Sequence, residues 1–157
     1  FKFGNIEFKI ILVPGHTNGH VCFYSDKEKI IFTGDALFSL GCGRVFEGTY
    51  QQMFESLNKI KNLPKQTNIY CGHEYTKKNL DFCLEVELNN SFLKEKKKWI
   101  NLKISKKEPT IPVTMEEELN TNIFLRCDIP SVKKSLGMEN SSGVEIFKKL
   151  RDLKDSF

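Results

Sequence analysis

The sequence contains no apolar run that approaches the ~20 residues needed to cross a bilayer, and it contains no C-x-x-C pair. Its five cysteines are odd in number and widely spaced, which argues against a disulfide framework and favours the reducing cytoplasm. It also has no glycine-rich phosphate loop followed by Lys and Ser or Thr. These absences exclude a membrane-spanning protein, a disulfide-stabilised secreted domain and a P-loop nucleotide enzyme.

The start of the sequence lacks an initiator methionine and a signal peptide. The segment Phe1–Asn5 shows neither the charged start nor the apolar stretch of a secretion signal. We therefore expect the 157 residues to begin partway through a longer product.

Charge of neither sign is in large excess, since 24 Lys and Arg oppose 20 Asp and Glu and give a formal net charge of +4. This mild excess favours anionic ligands but is too small to indicate a nucleic-acid partner. The cluster Lys94, Lys96, Lys97 and Lys98 lies on a predicted helix and is interpreted as a solvated face. A hydrophobic content of 39% with 28% charged residues is typical of a globular protein of one domain or a compact pair.

The first half of the chain predicts strands joined by glycine-containing loops. The β-rich runs are 6–13, 21–24, 30–33 and 68–71, with a hairpin loop at 25–29. After the long loop 34–48, Thr49-x-x-Gln52 is a capping-box signal for a helix with apolar residues at helical spacing.

The second half is rich in Lys, Glu and Leu and predicts helices. They are expected over 76–88 and 91–104, with two more beginning at the capping boxes Thr114-x-x-Glu117 and Ser142-x-x-Glu145. A β-rich first part followed by a helical second part predicts an α+β fold.

The chain has three histidines, and each lies in or beside a glycine-containing loop next to a predicted strand. His16 and His20 lie in P-G-H-T-N-G-H at 14–20, and His73 lies in C-G-H-E at 71–74. Asp35 follows a strand in the same way, in T-G-D. An isolated histidine is more often structural than a ligand, but neighbouring glycines let the backbone approach a metal or substrate closely. The pattern therefore favours a ligand role.

Two imidazoles and one carboxylate from three strand ends suit part of a hydrolytic metal site. Asp35 can bridge two cations, and imidazoles suit zinc, iron or manganese. Three donors are fewer than a two-ion site requires. A competing interpretation is a zinc site formed by Cys71, His73, Cys42 and His16, which lacks the close ligand pairs of structural zinc motifs.

Four segments make the chain similar to a known family: P-G-H-T-N-G-H at 14–20, F-T-G-D-A-L-F at 32–38, G-C-G-R-V-F-E-G-T at 41–49 and Y-C-G-H-E-Y-T at 70–76. Together they resemble glyoxalase II (hydroxyacylglutathione hydrolase), a member of the metallo-β-lactamase superfamily. The first segment indicates only the superfamily, and the last two are much more specific. Further matches at 108–112, 122–126 and 151–155 extend the resemblance over nearly the whole chain.

The resemblance implies a fold in two parts. Residues 1–75 would be the C-terminal part of a metallo-β-lactamase αββα sandwich, and 76–157 an α-helical glutathione-binding domain. In the family two sheets pack face to face, and the half that supplies one of them is not in this sequence. We therefore expect the strands between Ile6 and Thr33 to leave an apolar face uncovered, which favours association.

The resemblance also implies an activity. The family hydrolyses S-D-lactoylglutathione to D-lactate and glutathione with two divalent metal ions, zinc above all, and a hydroxide held between the ions attacks the thioester. By resemblance, His16 is a ligand of the first metal, Asp35 bridges both as the catalytic carboxylate, and His73 is a ligand of the second. His20 matches a position that does not touch the metal and braces the loop.

Five further positions match residues that contact the substrate in the family, and the mild positive charge suits the carboxylates of glutathione. Arg44 and Tyr75 match residues beside the glutathione, and Arg151 and Lys154 match the basic pair that holds its glycine carboxylate. The spacing i and i+3 puts that pair on one face of the last helix. Phe46 stands where many relatives have Tyr, so a hydroxyl contact is absent.

One family segment, T-H-x-H-x-D-H, is missing altogether. It supplies the remaining metal ligands and lies upstream of everything in this sequence. We therefore expect these 157 residues alone to bind metal weakly and to be inactive or nearly so. The intact protein is expected to be a monomer in the cytoplasm.

Two other functions remain open on the sequence. A persulfide dioxygenase, with one iron held by two His and one Asp, would use the same His16, Asp35 and His73. A non-catalytic protein, either a truncated remnant or a glutathione-binding module, would explain the missing ligands.

Overall fold

The computed structural model describes all 157 residues. Its elements in chain order are β1 (Lys2–Phe3), β2 (Ile6–Glu7), β3 (Lys9–Leu12), β4 (Val21–Ser25), β5 (Ile30–Gly34), β6 (Leu37–Phe38), β7 (Gly41–Cys42), α1 (Tyr50–Lys61), β8 (Asn68–Cys71), α2 (Thr76–Val86), α3 (Ser91–Ser105), β9 (Val113–Thr114), α4 (Met115–Thr121), α5 (Pro130–Ser135) and α6 (Gly143–Asp155). The predicted α+β class is confirmed.

A five-stranded sheet in the order β3-β4-β5-β8-β9 organises the molecule. Strands β5 and β8 are parallel, and the other neighbours are antiparallel. The parallel pair is joined through α1, the kind of crossover that parallel strands require. Because β5 and β8 run in the same direction, the residues after both strands emerge at the same edge of the sheet.

One face of the sheet is covered by helices. Along β4 and β5 the side chains alternate, so that Cys22, Tyr24 and Ile31 point into the core. Helix α1 buries Met53, Leu57 and Ile60 and packs against α6. The predicted capping boxes begin α1, α4 and α6, and each satisfies backbone N–H groups that the first helical turn leaves unpaired.

The opposite face of the sheet is apolar and open to solvent, as the sequence predicted. Ile10, Leu12 and Phe32 are all exposed on the outer side of β3 and β5. Seven apolar side chains line a shallow cavity of about 370 Å³ beside them: Phe1, Phe3, Ile6, Phe8, Phe23, Ile30 and Phe32. We refer to these seven residues as the outer apolar face.

Several short elements depart from the sequence prediction. The run 6–13 is broken into β2 and β3, and the loop 34–48 contains the hairpin β6–β7. The short elements β9 and α5 were not predicted. Two-residue strands have too few side chains for a period to be recognised.

The interpretation of the lysine cluster on α3 is wrong for one residue. Lys94, Lys97 and Lys98 are exposed, but Lys96 is buried. Its ammonium group pairs with Glu117 at 2.7 Å and lies 4.2 Å from the centre of the Trp99 ring. The long aliphatic stem of Lys96 therefore contributes to packing between α3 and α4.

None of the six helices has the length and apolar content of a membrane-spanning segment.

Candidate functional site

The predicted ligand residues lie at one edge of the sheet. Asp35 directly follows β5, His73 lies two residues after β8, and His16 lies in the loop between β3 and β4. The parallel pairing of β5 and β8 brings Asp35 and His73 together although 38 positions separate them in the sequence.

Asp35 lies between the two imidazoles. Its Oδ2 is 3.7 Å from Nε2 of His16, and its Oδ1 is 3.5 Å from Nε2 of His73. Each carboxylate oxygen therefore faces a different imidazole. This is the disposition expected of a carboxylate that can contact two cations, one on each oxygen.

The His16 ring is oriented by a backbone hydrogen bond. Its Nδ1 lies 2.8 Å from the carbonyl oxygen of Arg44. Because a carbonyl oxygen only accepts, Nδ1 carries a proton and donates, and Nε2 is the ring nitrogen nearer to Asp35. This leaves Nε2 as the nitrogen that could bind a metal ion.

Two glycines make the close approach possible. A Cβ atom on Gly72 would lie 2.5 Å from Oδ1 of Asp35. A Cβ atom on Gly43 would collide with the carbonyl oxygen of Asp35 and would lie 3.0 Å from Nδ1 of His16. Any side chain at either position would displace a proposed ligand, which explains the glycines in these motifs.

His20 occupies a different position from the other two histidines. Its Nε2 lies 3.1 Å from the carbonyl oxygen of Thr33, and its ring packs edge-on to His16 at 5.9 Å. It also fills the space beside Gly34, whose φ of +51° is in the left-handed region. The ring therefore braces the strand end that carries Asp35 and does not face the carboxylate.

The donors fit divalent metal ions in kind, but they do not make a complete site. No group of three or more His, Cys, Asp and Glu side chains is placed to hold an ion. Each oxygen of Asp35 lies near only one imidazole. His16, Asp35 and His73 therefore provide three donors, which is fewer than a two-ion site requires. The competing four-residue zinc site is not formed: the Cys71 thiol donates to the carbonyl oxygen of His73, and the Cys42 sulfur faces Arg151.

These residues line one end of a cleft of about 520 Å³. All the predicted site residues except His20 contribute to it. The lining is His16, Asp35, Phe38, Cys42, Gly43, Arg44, Phe46, His73, Tyr75, Lys78, Asn79, Arg151 and Lys154.

Aromatic rings border the ligand residues on both sides. Tyr75 stacks on the His73 ring at 4.9 Å and contacts Phe38 edge-on at 5.3 Å. On the other side, Phe46 lies 5.0 Å from the His16 ring and is largely exposed. The rings give the cleft apolar walls next to the polar centre.

The side chain of Arg151 is buried, although the sequence predicted that it contacts the substrate. It is only 3% exposed, and its guanidinium donates to the Cys42 carbonyl oxygen at 2.9 Å and to Asp155 at 2.6 Å. Arg44 approaches the same Asp155 oxygen at 3.4 Å from the solvent side. Arg151 therefore positions the wall of the cleft, and only its Nε is without a partner.

Lys154 lies one helical turn beyond Arg151 on α6. Its ammonium group donates to the Lys78 carbonyl oxygen at 3.2 Å and lies 4.9 Å from the centre of the Phe82 ring and 4.8 Å from that of Phe157. Partial burial lowers the pKa of Lys154 to about 8, and the positive charges of Lys78 and Arg151 contribute.

Besides Gly43, four lining residues were not predicted as part of the site: Phe38, Cys42, Lys78 and Asn79. The first two lie on the hairpin β6–β7, for which the sequence gives no periodic signal. For the other two a signal exists, because positions three and four after Tyr75 share its side of a helix that begins at Thr76.

The hairpin is held in place by buried polar groups from the second half of the chain. Glu118 accepts from the backbone N–H of Leu40 at 2.8 Å, and Asn122 donates to the Gly41 carbonyl oxygen at 3.1 Å. Asn79 donates to the Ser39 carbonyl oxygen at 2.9 Å. Leu40 has a φ of +61°, and these bonds compensate for that backbone strain.

Comparison with known proteins divides the chain between two family models. A model described as "Hydroxyacylglutathione hydrolase C-terminus" matches residues 74–157. A model described as "Metallo-beta-lactamase superfamily" matches residues 1–73.

Curated relatives match the chain over nearly its full length. A hydroxyacylglutathione hydrolase of Pelagibacter ubique is 54% identical over 98% of this chain and 58% of its own length. One from Chelativorans sp. is 49% identical over 99% of this chain and 61% of its own length. The chain thus spans about three fifths of the relatives that it matches.

Solved structures show the same fold. BLEG-1 B3 metallo-beta-lactamase matches with a TM-score of 0.53 at 25% identity, over 80% of this chain and 44% of its own. ETHE1 from Myxococcus xanthus matches with a TM-score of 0.57 at 21% identity, over 98% of this chain and 48% of its own. Because the model for the C-terminus of hydroxyacylglutathione hydrolase alone accounts for more than half of the residues, the chain belongs to the hydroxyacylglutathione hydrolase family within the metallo-β-lactamase superfamily.

Proposed function

We propose that the protein is a thioester hydrolase that converts S-D-lactoylglutathione and water into D-lactate and glutathione. The observation that carries the proposal is a single cleft in which a carboxylate flanked by two imidazoles lies beside several basic side chains. The carboxylate and imidazoles suit hydrolysis of a carbonyl compound, and the basic groups suit an anionic substrate. The identity to relatives named hydroxyacylglutathione hydrolase supports the same reaction.

Membership of the family implies divalent metal ions as cofactors. We propose that His16 and His73 each hold one ion and that Asp35 contacts both, with zinc expected and iron or manganese as alternatives. When bound, such ions supply Lewis-acid stabilisation of negative charge on the thioester carbonyl oxygen. Further donors are needed to complete the site, because three are too few for two ions.

The residues around the donors keep them in position. The Arg44 carbonyl oxygen fixes the tautomer and orientation of His16, and Gly43 and Gly72 let Asp35 sit against the backbone. His20 supports the strand end that carries Asp35. These contacts hold the carboxylate ready, so that little reorganisation is needed when substrate binds.

The walls of the cleft select and orient the substrate. The rings of Phe46 and Tyr75 lie on opposite sides of the ligand residues and limit access of bulk water to the thioester. At the far end, Arg44 and Lys154 present positive charge to the carboxylates of glutathione. Arg151 acts there by holding the Cys42 carbonyl and Asp155, and its direct contact with substrate stays a prediction.

The test is hydrolysis of S-D-lactoylglutathione by the complete gene product, purified and supplied with zinc, iron(II) or manganese(II). Loss of the thioester is followed by absorbance, and free glutathione by thiol titration. We expect one thiol for each thioester lost and no turnover by Asp35→Ala. A metal-loaded protein that leaves this thioester intact would overturn the proposal.

The same preparations separate the alternative functions. A persulfide dioxygenase would consume oxygen in the presence of glutathione persulfide, and a glutathione-binding module would bind S-methylglutathione but leave S-D-lactoylglutathione intact. The names of the curated relatives support hydrolysis and neither of these alternatives. The cytoplasm and a monomeric state stay expectations for the complete protein.

A further inference from the structure

Lys78 is a basic residue of the cleft to which no role has been given so far. It lies in the first turn of α2, and its exposed side chain lines the cleft together with Tyr75 and Lys154. No carboxylate lies within ion-pair distance of its ammonium group. Its neighbour Lys77 is different: it pairs with Asp81 at 2.7 Å and lies outside the cleft.

Lys154 is a second cationic residue of the cleft and contacts the backbone of Lys78. Its ammonium group bonds to the backbone carbonyl of Lys78, and it likewise has no carboxylate within ion-pair distance. Burial lowers the pKa of Lys154, and the positive charge of Lys78 lowers it further. Two unpaired cations therefore lie at the same end of the cleft and repel each other.

The acidic residues nearby are already engaged. Asp155 accepts from Arg151 at 2.6 Å and faces Arg44 at 3.4 Å. Asp81 receives both hydrogen bonds of the Lys77 ammonium group at 2.7 Å. No acidic side chain near the two lysines is therefore free to pair with them, and an anion from outside the chain can take that place.

We propose that Lys78 is a further substrate-binding residue, which together with Lys154 holds the glycine carboxylate of the bound glutathione compound. The inference rests on the proposed function, because that function supplies the anion. A carboxylate has two oxygens and accepts from two separate ammonium groups at once. The pair thus gives two-point capture of one carboxylate in the cleft.

The experiment is calorimetric titration of the protein with S-methylglutathione, a thioether that cannot be hydrolysed. The variants are Lys78→Ala, Lys78→Arg and the matched control Lys77→Ala. A second ligand, S-methylglutathione with its glycine carboxylate converted to the amide, removes the group that Lys78 is proposed to hold. We expect Lys78→Ala to weaken binding of the free acid about three- to tenfold, the range of one ordinary hydrogen bond, because the exposed side chain keeps its charge largely solvated.

The remaining results follow from the same contact. Lys77→Ala should bind like the wild type, Lys78→Arg should keep most of the affinity, and the amide should bind wild type and Lys78→Ala equally. Equal losses in Lys77→Ala and Lys78→Ala, no loss in Lys78→Ala, or a loss that persists with the amide would overturn the inference. Failure of the wild type to bind S-methylglutathione at all would instead overturn the proposed function.

A pH series gives a readout that a merely structural role of Lys78 would not change. Four ionisable groups act on Lys154: Lys78 and Arg151 lower its pKa, and Cys83 and Asp81 raise it. Removing the Lys78 charge should therefore raise the pKa of Lys154. The affinity for S-methylglutathione, which falls when Lys154 loses its proton, should then fall at a higher pH. An unchanged midpoint in Lys78→Ala would contradict the proposed proximity of the two ammonium groups.

Discussion

At the scale of single residues, we expect Asp35 to contribute most to metal binding, since it is the proposed ligand that contacts both ions. Asp35→Asn keeps the size of the side chain but removes the negative charge between His16 and His73. Because a neutral amide is a much weaker ligand than a carboxylate, we expect zinc uptake to fall at least about tenfold. Competition with a chromophoric chelator measures it.

Glu28→Gln is the matched control for that substitution. Glu28 is exposed in the loop between β4 and β5 and forms no hydrogen bond or ion pair. Its neutralisation changes the net charge by the same amount and should leave zinc uptake unchanged. Equal losses in the two variants would show a general effect of charge and would remove Asp35 from the metal site.

Lys154 makes ligand binding depend on pH. With a pKa of about 8, its ammonium group is charged below that pH and becomes neutral above it. Affinity for S-methylglutathione should therefore fall as the pH rises through about 8. Titrations on both sides of that pH measure the effect, and Lys154→Arg, which keeps its charge throughout, should give a flat profile. The same fall in Lys154→Arg would assign the titration to another group.

The identities of the candidate ligands could be predicted from sequence, but their surroundings could not. His16, Asp35 and His73 were recognisable because each lies beside a glycine at a strand end. The burial of Arg151 and its hydrogen bond to the Cys42 carbonyl depend on how α6 packs against the hairpin β6–β7. This packing joins segments far apart in the chain, and no local sequence pattern predicts it. The same holds for Lys96, whose burial depends on the position of Glu117.

At the scale of elements, α6 presents Arg151 and Lys154 and begins at a capping box. The Ser142 hydroxyl accepts from the backbone N–H of Glu145, and Glu145 accepts from the backbone N–H of Ser142. Ser142→Ala should lower the free energy of unfolding by about 1 kcal/mol, the usual loss for an N-cap. Chemical denaturation measures it. Ser141→Ala, which removes a hydroxyl with no hydrogen bond, should have no comparable effect.

Helix α4 carries Glu118, a fully buried carboxyl group that holds the hairpin β6–β7. Burial raises its pKa from 4.5 to about 7, since hydrogen bonds from Leu40 and Asn122 offset only part of the desolvation. The folded state then holds a proton that the unfolded state releases between those pH values. Glu118 therefore makes the fold less stable as the pH rises from 4.5 to about 7.

Glu118→Gln removes this titration and keeps an oxygen that can accept from Leu40. We expect Glu118→Gln to be more stable relative to wild type at pH 8 than at pH 5. The change in the relative free energy of unfolding is on the order of 3 kcal/mol at most, and the relative melting temperature rises with it. Differential scanning calorimetry at the two pH values measures it. The same effect of Glu118→Gln at both pH values would show that Glu118 is ionised in the folded state at both.

Long periodic elements were predictable, and short ones were not. The strands β4, β5 and β8 and the helices α1, α2 and α3 have enough residues to show a period. The hairpin β6–β7 and the strand β9 have two residues in each strand, and tertiary contacts such as that of Glu118 with Leu40 define them. The wall of the cleft is built from such an element, which is why Phe38 and Cys42 were missed.

At the scale of the whole molecule, the outer apolar face should make the 157-residue chain self-associate. Exposed aromatic surface of this kind gains free energy on burial between copies. Sedimentation velocity at increasing protein concentration should show species larger than the monomer. Phe3→Lys, which places a charge on that face, should reduce association, whereas Phe92→Lys on α3 should not. A monomer at all concentrations would contradict the prediction.

The two ends of the cleft are made at different times during synthesis. The Cys42 carbonyl oxygen accepts from Arg151 on α6, which lies 109 residues further along the chain and is therefore synthesised much later. A ribosome-bound chain that has already emerged through His73 contains the three proposed donors but not yet Tyr75, Arg151 or Lys154. Shortening α6 by its last turn would likewise leave the three proposed donors in place and would remove Lys154, one of the proposed substrate-binding residues.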